Sequence, residues 1–146
     1  MTRLPTDDEV ARYRADGAVC LRGAFSPDWI GRLRAAVDAD MADPGPMMRL
    51  NTPAGSPGFF FVDFQLWQRH AAARDFVFHS PAREIVARLM GSREVVYYHD
   101  HLLVKEPGTR ERTPWHHDQP YYPIDGEQIA SLWLPLDPVD RATCVE

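Results

Sequence analysis

Three consecutive residues, His116, His117 and Asp118, are the part of this chain best suited to chemistry. They lie in TPWHHDQPYYPIDGEQIASLWLPL, residues 113–136, an aromatic-rich run that reads as extended. On a strand, side chains alternate faces, so His116 and Asp118 point one way and His117 the other. Imidazole and carboxylate together suit a first-row divalent metal, and two histidines with one carboxylate make the facial triad of non-haem Fe(II) oxygenases. His116 and Asp118 would supply two of those three donors. Spacing alone leaves a solvated polar patch open as well, because short motifs also arise by chance. An acid–base dyad is a weaker reading, since same-face neighbours on a strand diverge too far for a direct hydrogen bond. Cys144 has no recognisable elbow or partner to make it a nucleophile, and no paired-cysteine spacing supports zinc.

The elements that must position this run are legible in outline. Thr6-Asp7-Asp8-Glu9 is a capping box, with Val10 and Tyr13 as an apolar stripe and Gly17 as a stop. Residues 18–21 are a short strand candidate. Ser26-Pro27 starts a second helix, buried through Ile30, Leu33 and Val37. Residues 41–58 form an irregular loop, followed by the core run Phe59 to Val62. Ser80-Pro81 opens a third helix with Ile85, Val86, Leu89 and Met90 on its apolar side and Gly91 as its end. EVVYYHDHLLVK, residues 94–105, reads as a long strand or two joined ones. Its alternation places Tyr97, His99, His101, Leu103 and Lys105 on one face. Residues 128–136 are a further strand carrying Ser131 and Trp133. Helices first and strands second predict an α+β fold, with helices against a mostly antiparallel sheet.

Composition narrows the class. At 146 residues the chain fits a single domain, residues 1–146, with a real core. Its 45% hydrophobic and 25% charged content is that of an ordinary globular protein. A net charge of −5 without any basic block argues against nucleic acid as a partner. No run is apolar enough for a signal peptide or a bilayer span. Cys20 and Cys144 are therefore expected as free thiols in a cytoplasmic protein. Thirteen prolines and nine glycines cut the chain into short elements.

The run LLVKEPGTRERTPWHHDQPYYPIDGEQIASLWLPLDPVD resembles the phytanoyl-CoA dioxygenase family. The likeness rests on lysine-x-proline-glycine, threonine-proline-tryptophan-His-x-Asp, a proline-tyrosine step, and serine-x-tryptophan before proline-leucine-aspartate. It implies a double-stranded β-helix, a jelly-roll-like barrel flanked by helices. It also implies Fe(II), 2-oxoglutarate and O2 as cofactor and cosubstrates, with hydroxylation of a small organic substrate coupled to succinate formation. By this resemblance His116 and Asp118 take the positions of two iron ligands. His101, on the inner face, approaches 2-oxoglutarate, and Trp133 lines the same pocket. Lys105 and Thr113 fall within the motif. His117 stands where the family often has glutamine, a position directed away from the metal.

One departure is large. The family's second histidine ligand lies on a later strand, followed by an arginine for the distal carboxylate of 2-oxoglutarate. After Asp118 this sequence has no histidine, and its one arginine is Arg141. A truncated dioxygenase is the favoured expectation. The alternatives are recruitment of His99 or His101 as third ligand with Arg110 or Arg112 for the carboxylate, or a non-catalytic remnant that binds a small molecule or partner. An incomplete barrel would also leave an open sheet edge through which copies could associate.

Overall fold

Helix boundaries follow local chemistry. The computed structural model describes residues 3–109 and 111–145. Helix α1 spans Asp7–Asp16, and Thr6 caps it. The Thr6 hydroxyl accepts from the Glu9 amide at 3.3 Å, while the Glu9 carboxylate accepts from the Thr6 amide at 2.8 Å. That reciprocal pair satisfies donors a helix start leaves without partners. Gly17 ends the helix at φ 77°, a conformation that costs glycine nothing. Helix α2, Pro27–Ala42, starts on Ser26 with proline in its first turn. Ile30, Leu33 and Val37 are half-buried on it, and the deepest positions of the stripe are Ala36 and Asp40.

Between α2 and α5 the chain holds elements that local patterns do not announce. Helices α3 (Leu66–Arg69) and α4 (Ala71–His79) precede α5 (Ala82–Met90), which begins at Ser80-Pro81 and stops at Gly91. The expected third helix is therefore the fifth. Neither α3 nor α4 has a side-chain cap of its own. Asp100, distant in sequence, supplies one to α3: its carboxylate accepts from the Leu66 and Trp67 amides at 2.7 and 3.0 Å. The Tyr97 hydroxyl donates to the same carboxylate at 2.9 Å. Burial, then the charge of Asp100, pushes the Tyr97 phenol above its ordinary pKa.

The sheet is small, open and antiparallel, in the order β1 (Arg49–Leu50), β2 (Phe60–Phe64), β3 (His101–Lys105). Phe64 pairs with His101, Val62 with Leu103 and Phe60 with Lys105. Directly opposed residues share a face, so these six side chains form one surface. Mixed helices and a three-stranded sheet bear out the α+β class; among the described residues the strands close no barrel. The expected strands at residues 18–21, 94–100 and 128–136 are irregular stretches without a ladder, because β-propensity makes a strand only where a neighbour offers hydrogen bonds. Val19 and Leu21 pack instead on Ala24, Ile85 and Leu89, together with Val10, Tyr13 and Phe25.

Residues 41–58 are also more ordered than expected. They contain the end of α2 and all of β1. The Thr52 hydroxyl accepts from the Phe60 amide at 2.5 Å, and the Asn51 amide donates to the Phe60 carbonyl at 2.8 Å. Helices pack on helices and strands on strands. A buried polar cluster joins the two layers. Asp40 of α2 and Asp63 of β2 are both fully buried, and the Arg69 guanidinium pairs with both. His70 Nε2 lies 2.8 Å from Asp40 Oδ1, and the Gly45 amide donates to Asp63 at 2.7 Å. No helix among the described residues is long and apolar enough to cross a membrane.

Candidate functional site

His116 and Asp118 come together, but not by strand alternation. The segment carrying them is irregular, and Asp118 sits at the entry to a short 3-10 turn, Gln119–Tyr121. The bend brings His116 Nε2 to 3.3 Å from Asp118 Oδ1. A direct approach of the two is thus available, contrary to the divergence that strand geometry predicts.

Each partner is held from its outer side. His116 Nδ1 lies 2.8 Å from the Pro114 carbonyl, an acceptor that requires the proton on Nδ1. The lone pair of Nε2 then faces Asp118. The other carboxylate oxygen, Oδ2, accepts a hydrogen bond from the Ser131 hydroxyl at 2.7 Å. An imidazole lone pair and a carboxylate oxygen at 3.3 Å repel unless a cation lies between them. A proton makes the imidazolium–carboxylate pair; a divalent metal makes a two-donor site. Bond lengths of about 2.1 Å place neighbouring donors of a metal about 3 Å apart, so the pair fits a metal. Both side chains are partly open, at 39% and 42% exposure, so solutes reach them.

Beside this pair runs an aromatic wall. His101 lies flat on Phe64, with ring centroids 4.2 Å apart and planes 13° from parallel. His99 continues the stack at 6.3 Å from Phe64, and Tyr122 meets His99 edge-on at 5.4 Å. Burial, then neighbouring His99, lowers the His101 pKa, while Asp118 and Asp100 act in the opposite direction. Tyr122 is raised by burial first and then by the Asp118 charge. The wall and the His116–Asp118 pair therefore share one electrostatic neighbourhood. Along β3 the face carrying His101, Leu103 and Lys105 is the more open one, and Leu102 and Val104 are half-buried. His101 is thus an open position at the β3 side of a face whose β2 residues Phe60 and Val62 are buried.

The remaining sequence candidates are placed as follows. Lys105 Nζ donates to the Thr113 hydroxyl at 3.1 Å and sits 4.5 Å above the Phe60 ring, tying β3 to the approach of the His116 segment. Burial lowers the Lys105 pKa. Trp133 is 46% exposed, two residues beyond Ser131 on the same segment. Among the described residues no group of three or more His, Cys, Asp or Glu side chains is arranged to hold a metal ion. His99 and His101 are therefore not assembled with His116 and Asp118 into a three-donor site. Arg112 is exposed, and Arg110 lies outside the described residues. Cys20 and Cys144 are free and exposed. Ser131 and Tyr122 are neighbours of Asp118 whose contacts the motifs do not announce, although the serine-x-tryptophan signature contains Ser131 and the proline-tyrosine step adjoins Tyr122.

The phytanoyl-CoA dioxygenase (PhyH) family model matches residues 13–144, and the chain belongs to that family. Its members are typically Fe(II)- and 2-oxoglutarate-dependent oxygenases. No curated protein and no solved structure matches the chain.

Proposed function

We propose that this protein is an Fe(II)- and 2-oxoglutarate-dependent oxygenase acting on a small organic substrate, with His116 and Asp118 as metal donors. The observation that carries the reading is the convergence of His116 Nε2 and Asp118 Oδ1 at 3.3 Å, each fixed from behind by a separate hydrogen bond. Outer hydrogen bonds of this kind set the tautomer and aim of metal ligands. Bound iron with 2-oxoglutarate supplies oxidation of an unactivated C–H bond. The protein's own part is to hold the donors, orient the cosubstrate and limit water. In this reading His101 and Trp133 wall the 2-oxoglutarate pocket, and the three-stranded sheet is part of a jelly-roll architecture.

A second reading is a non-catalytic member that binds a small molecule or partner. The two-donor character of the site favours it, since a facial triad needs a third protein ligand. One experiment separates the two. The purified chain is supplied with Fe(II), O2 and 2-oxoglutarate, and succinate is measured. Succinate that disappears in His116→Ala and in Asp118→Ala supports the oxygenase. Equal succinate in wild type and both variants removes it, and binding of Fe(II) without succinate establishes the second reading.

A further inference from the structure

We infer that Ser131 is a positioning residue for the metal site, holding the Asp118 carboxylate so that Oδ1 faces His116. This rests on the reading of His116 and Asp118 as metal donors and adds a residue to it. The geometry divides the carboxylate between two tasks. Oδ2 accepts from the Ser131 hydroxyl at 2.7 Å, and Oδ1 is left facing His116 Nε2 at 3.3 Å. A carboxylate turns easily about its terminal torsion, which is broad and nearly two-fold. Without a fixed donor on one oxygen, Asp118 samples rotations that take Oδ1 away from the imidazole. Asp118 is half-exposed, so packing does not supply that restraint.

Ser131 is itself anchored. Its segment forms no ladder, yet it is tied at both ends to helices. At one end Gln128 Nε2 donates to the Met90 carbonyl at 3.2 Å, at the end of α5. At the other, Arg34 of α2 donates from Nε to the Leu136 carbonyl at 2.9 Å and from Nη2 to Asp137 at 2.8 Å. Residue 131 lies between these two tethers. The helical layer thereby fixes the serine, and the serine fixes the carboxylate. Pro114 does the same for His116 through a main-chain carbonyl, so the two donors are oriented from opposite sides.

The test uses a graded series at position 131 on the full chain, read by Mn(II) binding: free Mn(II) is followed by electron paramagnetic resonance, with no turnover required. Wild type and Ser131→Thr retain the hydroxyl and are expected to bind within about threefold of each other. Ser131→Cys, a weak donor of similar shape, falls between, and Ser131→Ala weakens binding by about 10- to 100-fold, the usual effect of losing an outer partner of a ligand. Co(II) added in place of Mn(II) should give a visible spectrum that changes from Ser to Ala and returns with Thr, a signature that general destabilisation would not restore. If wild type binds, Asp118→Ala does not, and Ser131→Ala and Ser131→Cys both bind like wild type, the positioning role is overturned while the metal site stands. If wild type itself binds no Mn(II), the metal reading fails and the role of Ser131 fails with it.

Discussion

The His101 ring lies parallel to Phe64 across the β2–β3 ladder, 4.2 Å between centroids. This contact gives His101 a structural reason to be aromatic, separate from any contact with cosubstrate. Two substitutions divide those roles. His101→Phe keeps a stackable ring and removes both ring nitrogens; His101→Ala removes both features. His101→Ala should lower stability by about 1 kcal/mol through the lost aromatic pair, and His101→Phe should leave it nearly unchanged. Both should weaken 2-oxoglutarate binding equally if the imidazole contacts it. Thermal unfolding and calorimetric titration with 2-oxoglutarate check the two halves independently. Normal 2-oxoglutarate affinity in His101→Phe would leave His101 with the stack alone.

Arg69 of α3 answers two fully buried carboxylates, Asp40 of α2 and Asp63 of β2. Its removal leaves uncompensated charge where water does not reach. Breaking a buried pair from one side typically costs roughly 3–5 kcal/mol. Arg69→Ala is expected to lose that order of stability in urea unfolding. Asp40→Asn should cost clearly less, since it removes a charge whose Oδ2 has no hydrogen-bond partner in the protein. Equal losses in both variants would show that the cluster acts through packing and not through charge.

Gly58 sits where a side chain has no room. A Cβ there would collide with the Thr109 amide nitrogen and stand 2.7 Å from the Pro107 carbonyl oxygen, both main-chain atoms that do not swing aside. Gly58→Ala must therefore separate the chain before β2 from the turn after β3. Overpacking of this kind costs about 1–3 kcal/mol. The expected result is a lowered melting temperature together with faster proteolysis within residues 51–58. An unchanged melting temperature would mean that this contact is loosely held.

What the sequence disclosed was mostly chemistry local to one turn. Thr6 with Glu9, Gly17, Ser26-Pro27 and Gly91 each act within a few residues, and each marks the helix end where its pattern places it. Helices α3 and α4 were hidden because their support is remote. Asp100 caps α3 across 34 residues, and His70 meets Asp40 across 30. Strand prediction failed at residues 128–136 for a related reason: propensity is local, but a ladder needs a partner. The same limit explains the site. His116 and Asp118 stand out in the sequence by type and spacing, yet their approach accompanies a bend in the chain and a hydrogen bond from Ser131, thirteen residues further on.

Acid stability should turn on Glu9. Two hydrogen bonds from Arg3, at 2.7 Å each, and one from the Thr6 amide hold its carboxyl down to about 2, against an ordinary value of 4.5. A depressed carboxylate binds fewer protons folded than unfolded, so the contribution of Glu9 is full above pH 4.5 and is lost as pH falls toward 2. Asp40 has the opposite sign. Burial, the largest influence on it, raises its pKa above 3.8, so its contribution is greatest below that value and declines as pH rises through the folded pKa. Unfolding measured from pH 2 to 7 should thus show a steep loss below 4.5 that flattens in Glu9→Gln, while Asp40→Asn leaves that acid limb in place and alters the curve above 3.8. A Glu9→Gln profile parallel to wild type throughout would place the acid-labile contact elsewhere in the chain.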